Sequence, residues 1–79
     1  MRGETVETYR NLSGNSGVIA FEIGPNFVRV QFRQGTPYLY TYQSAGIANV
    51  DEMKRLARLG QGLSTFINQT PAVRNGYSR

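Results

Sequence analysis

Seventy-nine residues, 39% of them hydrophobic and 18% charged, suffice for one small domain with a modest core and exclude both two independent cores and a wholly disordered chain. The absence of cysteine and histidine removes disulfide staples, cysteine-based zinc sites, thiol nucleophiles and every Ser-His or Cys-His arrangement. Nine Lys plus Arg against five Asp plus Glu leave a net charge of +4, and eight of the nine cations are arginine, whose planar fork suits phosphate and flat rings.

In chain order, residues 1–15 read as an N-terminal tail or a short extra strand through Val6, Thr8 and Tyr9, ahead of a single domain over 16–79. No apolar segment of secretory type follows the charged start, and no run approaches the ~18 apolar residues of a membrane span, so the expected location is cytoplasmic with no membrane partner. Ser13-Gly14-Asn15-Ser16-Gly17 is a loop by composition. Val18 to Ile23 reads as a strand with Ile19, Phe21 and Ile23 on one face. Gly24-Pro25-Asn26 is a turn. Phe27 to Arg33 alternates, setting Val28, Val30 and Phe32 against Phe27, Arg29, Gln31 and Arg33. After the turn Gln34-Gly35-Thr36-Pro37, Tyr38-Leu39-Tyr40-Thr41-Tyr42 forms a third strand.

Beyond Ser44-Ala45-Gly46 the period becomes helical. Asn49-Val50-Asp51-Glu52 fits a capping box, and Val50, Met53, Leu56 and Ala57 form an apolar stripe. Gly60 and Gly62 interrupt that helix. Leu63, Phe66 and Ile67 mark a second short helix that stops before Pro71, and Val73 and Tyr77 anchor the tail. The expected fold is α+β: a three-stranded antiparallel β-meander, then a C-terminal helix and a second short helix packed on one face.

Cross-strand geometry turns this outline into a statement about function, because directly opposed residues of an antiparallel pair share a side. The first hairpin places Ile19, Phe21 and Ile23 with Val28, Val30 and Phe32, and sets Glu22 opposite Arg29. In the second hairpin, a two-residue turn at Gln34-Gly35 or at Gly35-Thr36 brings Tyr38, Tyr40 and Tyr42 out beside Arg29, Gln31 and Arg33, with Leu39 and Thr41 on the core side. A three-residue loop with a bulge at Gly35 instead sinks the tyrosines among Val28, Val30 and Phe32. The first register is the expectation. It yields a mixed face on which phenol rings stack on unpaired bases at ~1–3 kcal/mol each while guanidinium groups hold phosphate. Tyr38, Tyr40, Tyr42, Arg29, Arg33 and Arg74 are the candidate nucleic-acid-binding residues.

From Ser16 to Tyr77 the chain also resembles a known family, the KTSC domain, named for a short domain at the C-terminus of some lysyl-tRNA synthetases and found in stand-alone small bacterial proteins. The likeness rests on Ser16-Gly17-Val18 opening a hydrophobic strand, on Phe21-Glu22 where the family usually has tyrosine and aspartate, and on Val28, Val30 and Phe32. It continues with Gly35 before Tyr38-Leu39-Tyr40, then Gly62, Phe66, Asn68 and Val73-Arg74-Asn75-Gly76-Tyr77. The resemblance implies an RNA-binding role by association with a tRNA-charging enzyme, and it supplies no catalytic residue.

Catalysis finds no machinery in the residues. Glu22 reads as a cross-strand partner of Arg29, Asp51-Glu52 as helix capping, and Gly60-Gln61-Gly62 lacks the lysine of a phosphate loop. No catalytic residue, metal ligand or cofactor is expected. The expected activity is binding of RNA or single-stranded nucleic acid. The alternative is a protein-interaction module, as a homodimer or as an accessory domain of a larger complex, since tyrosine and arginine are also enriched at interface hot spots.

Overall fold

Strand formation follows the β-branched and aromatic runs of the sequence. The computed structural model describes residues 6–12, 14, 16–35 and 37–78. In it β1 (Val6–Thr8), β2 (Val18–Ile23), β3 (Phe27–Phe32) and β4 (Tyr38–Thr41) lie in chain order, each antiparallel to the next. Four helices follow: α1 (Tyr42–Ala45), α2 (Ile47–Leu59), α3 (Leu63–Gln69) and α4 (Pro71–Arg74). The chain then returns to the sheet as β5 (Tyr77–Ser78) on the open edge of β4. The class is α+β, but the sheet of the described residues has five strands rather than three. β1 is the short extra strand that is one of the two readings of residues 1–15, whereas the two-residue β5 carries too little periodicity for sequence reasoning to detect. Residues 1–5, 13, 15, 36 and 79 lie outside the described residues, Arg2, Glu4 and most of the Ser13–Gly17 loop's odd positions among them.

Pairing of β2 with β3 sets Phe21 opposite Val30, Ile23 opposite Val28 and Glu22 opposite Arg29, as the alternation predicts. Ile19 departs from it. The register shifts between Val18 and Ala20, so Val18 rather than Ile19 faces the core opposite Phe32, and Ile19 is left 42% exposed. An extra residue in one strand flips everything beyond it to the other face, which strict alternation cannot anticipate.

The stripe on α2 buries Val50, Met53, Leu56 and Ala57 against the inner face of the sheet, where Phe21, Val28, Val30 and Tyr40 meet it. Leu63 and Ile67 of α3, Val73 of α4, Val18, Ala45 and Tyr9 complete this core. The predicted capping box at Asn49 and Glu52 does not form. The helix starts earlier, with Gly46 at its N-cap, and the Asn49 amide donates to the Ala45 carbonyl at 2.9 Å. A capping box does exist one helix upstream, between Thr41 and Ser44 at the start of α1. Gly60 and Gly62 both take left-handed backbone, Gly60 ending α2 as its C-cap and Gly62 opening α3 as its N-cap, and they interrupt the helix as their positions predict. The α3 amide at Leu63 has no side-chain cap of its own and donates instead to the Tyr9 hydroxyl at 3.3 Å, which ties the N-terminal segment to the helical layer.

Candidate functional site

The decisive local feature is the turn after β3. Gly35, in the connection between Phe32 of β3 and Tyr38 of β4, adopts φ +90°, in the left-handed region that glycine enters without a steric cost. The Gln31 amide donates to the carbonyls of Phe32 and Gly35 and holds the turn. The register that results pairs Val30 with Tyr38 and Val28 with Tyr40. Tyr38 and Tyr40 therefore share the side of the core aliphatics, and Leu39 and Thr41 take the side of Arg29. This overturns the expected face of tyrosines interleaved with arginines. The physical reason is parity: one residue more in the loop reverses which side every β4 residue presents.

The six candidate residues separate accordingly. Arg29 lies on the helix-free face, with its Nη1 2.6 Å from Glu22 Oε1 and its guanidinium carbon 5.6 Å from the Phe27 ring centre. Its charge is already answered. Arg33 is exposed at the turn, and its backbone amide donates to the Gly17 carbonyl. Tyr42 is not in a strand but opens α1, where its hydroxyl donates to Asp51 Oδ1 at 2.7 Å and accepts from Lys54 Nζ at 3.2 Å. These contacts make Tyr42 a link between α1 and α2. Tyr38, Tyr40 and Arg74 come together elsewhere.

They meet at a groove of about 450 Å³ between the inner face of the sheet and α3–α4. That lies within the ~300–1,000 Å³ range of small-molecule sites. Phe32, Tyr38 and Tyr77 stand in adjacent strands along its floor, because each follows its strand's inward alternation. Tyr38 packs against Phe32 with ring centres 5.3 Å apart and a 58° tilt, and stacks on Tyr77 at 4.3 Å and 14°. Across from these rings α3 contributes Ser64, Ile67 and Asn68, and the α4 end contributes Arg74 and Asn75. Short helix α3 can present two polar residues beside Ile67 because Leu63 and Ile67, one turn apart, occupy its buried side.

Two features bear on the chemistry of this groove. Arg74, like Arg10, Arg33 and Arg58, has no acidic partner among the described residues, whereas Arg29, Arg55 and Lys54 pair with Glu22, Glu52 and Asp51. Tyr40 lines the groove while only 1% exposed, and its hydroxyl makes no hydrogen bond to a described residue. Burial, reinforced by the neighbouring phenols Tyr38 and Tyr77, pushes its pKa up to about 12. At neutral pH the group keeps its proton, as an ordinary phenol also does.

A second concavity on the helix-free face, lined by Val6, Ala20, Glu22, Arg29 and Pro37 among others, holds only about 90 Å³. It is too small for a ligand of ordinary size. Phe32, Tyr77, Asn68 and Asn75 escaped prediction as site residues. The preference of glycine for the left-handed loop position is the one sequence signal that leads to the correct register. Among the described residues no group of three or more acidic side chains could hold a metal ion, and no helix is long and apolar enough to cross a membrane. Compared with known proteins, the chain matches no family model, no curated protein and no solved structure.

Proposed function

We propose that this chain is a small non-catalytic binding module that takes an unpaired base of RNA or single-stranded nucleic acid in the groove between the sheet and α3–α4. The observation that carries the reading is the convergence of the Phe32 and Tyr38 rings with Arg74, which lacks an acidic partner among the described residues. Ring stacking supplies ~1–3 kcal/mol per base and tolerates any sequence, because every base has a flat face. Arg74 meets the adjoining phosphate, and the Tyr40 hydroxyl donates to the base. The amides of Asn68 and Asn75 offer both donors and acceptors to a base edge. The resemblance to the KTSC domain belongs to the same proposal and points to RNA over DNA.

Fluorescence anisotropy with a short labelled oligouridylate, at low and at moderate salt, tests this. Binding is expected to strengthen as salt falls, and to weaken with Tyr38→Ala and with Arg74→Ala but not with Arg29→Ala. A flat titration at low salt overturns it.

A second reading, a protein-interaction module, draws on the helix-free face, where Val6 is 65% exposed next to the Arg29–Glu22 pair. Light scattering across a micromolar concentration series addresses its homodimer form, and a constant monomer mass removes that form.

A further inference from the structure

The groove contains a ring from the chain itself in the place where a base would stack. Tyr77 lies nearly parallel to Tyr38, at 4.3 Å and 14°. The other aromatic pairs of the groove, Phe32 with Tyr38 and Tyr40 with Tyr77, are tilted by 58° and 57°. Parallel stacking is what a nucleobase adopts on a tyrosine.

The segment carrying Tyr77 is also held in an uneven way. Up to Gly76 the chain is clamped. The Gly76 amide donates to the Val73 carbonyl at 3.0 Å, and Ser44 Oγ donates to the Gly76 carbonyl at 2.6 Å. A Cβ at position 76 would lie 2.5 Å from the carbonyl oxygens of both Ala72 and Ser44, so only glycine fits between α1 and α4. Past the clamp, β5 is two residues long, pairing Tyr77 with Tyr40 and Ser78 with Leu39. Tyr77 is 38% exposed, against 1% for Tyr40 beside it. A two-residue edge strand beyond a fixed pivot is the kind of element that opens at low free energy.

We infer that Tyr77 is a built-in occupant of the groove, holding on Tyr38 the position of the ligand's ring, and that an entering base displaces it by lifting β5 from the edge of β4 about the Gly76 clamp. This rests on the reading that the groove takes a flat ring from a nucleic acid. The apparent affinity of the full chain is then reduced by the fraction of molecules in which Tyr77 is seated.

The test uses the full chain with a labelled oligouridylate at low salt, comparing wild type, Tyr77→Ala, Tyr77→Phe and Tyr38→Ala. Tyr77→Ala should bind roughly three- to tenfold more tightly, the scale of one aromatic stack, with Tyr77→Phe near wild type and Tyr38→Ala weaker. Unchanged or weaker binding by Tyr77→Ala, with wild type still binding, overturns the inference and leaves the groove reading intact, because Tyr77 is then a fixed wall. No binding by any of the four overturns both. Ring resonances of Tyr77 in the wild-type chain give a second measurement that needs no variant. On saturation with the oligonucleotide they should move toward the values of an unstacked tyrosine, and resonances that stay in place count against displacement.

Discussion

On the helix-covered side of the sheet, Phe32, Tyr38 and Tyr77 stand in a row near Arg74, whereas on the opposite side Arg29 is closed onto Glu22 and the Phe27 ring. The two regions use the same side-chain chemistry. They differ in what surrounds it. The outer guanidinium has a carboxylate at 2.6 Å and an aromatic ring beneath it, so a phosphate would have to displace a partner already present. The groove guanidinium has no such acidic partner among the described residues and stands exposed at the groove's edge.

The sharpest way to break the comparison is to truncate the buried ring under the groove. Tyr40→Ala should destabilise the chain by about 3–5 kcal/mol, the scale of a large aromatic deleted from a core. Leu39→Ala, its neighbour facing the other side, should cost far less. Urea denaturation of both variants measures the difference, and equal losses would mean the two faces are not distinct in packing.

Next in size is the pH response of that ring. Its pKa stands at about 12 against the ordinary 10.0, so the folded state holds the phenol proton more tightly than the unfolded chain does. The resulting stability is fully present below pH ~10 and is lost as pH rises toward ~12, on the order of 3 kcal/mol in all. In Tyr40→Phe this alkaline loss should shrink, and stability curves collected from pH 8 to pH 12 on both proteins would reveal it.

Exchanging the two arginines sharpens the contrast at the level of binding. Arg74→Ala should weaken oligouridylate binding about three- to tenfold and lower the slope of log affinity against log salt by roughly 0.7, one phosphate contact on a single strand. Arg29→Ala should leave both unchanged and cost under about 1 kcal/mol of stability, as a partly exposed ion pair does. A larger salt effect from Arg29 would move the interface to the helix-free face.

The smallest expected effect concerns the turn that separates the faces. Gly35→Ala meets open space, so its cost is conformational alone, about 1 kcal/mol for a left-handed residue that gains a Cβ. The tyrosines should keep their side in this variant, and cross-strand NMR contacts between Val28 and Tyr40 would check it.

Much of the fold is legible in the residues because local patterns carry it. The alternation in β2 and β3, the Val50, Met53, Leu56 and Ala57 stripe of α2, the glycine stop after Leu59 and the halt before Pro71 are each written in a few neighbouring positions. The Glu22–Arg29 pair is legible for the same reason, since a tight hairpin makes it nearly local. The candidate site is legible only in part. Tyr38, Tyr40 and Arg74 do converge, but Phe32, Asn68, Asn75 and Tyr77 join them across long stretches of chain that no window of sequence connects.

What the amino-acid sequence alone determined is thus the class of structure, the bodies of α2 and α3 though not the short helices α1 and α4, most strand bodies, and the stock of aromatic and basic groups. Tertiary structure decided which side those groups face and which charges remain to be met. Side-chain period in a strand is two, so a single residue in the Gly35 loop selects between two opposite faces with almost no change in local preference. That choice is settled by whether Tyr40 gains more from burial against α2 and Val28 than Leu39 would, a comparison that exists only once the helices have packed.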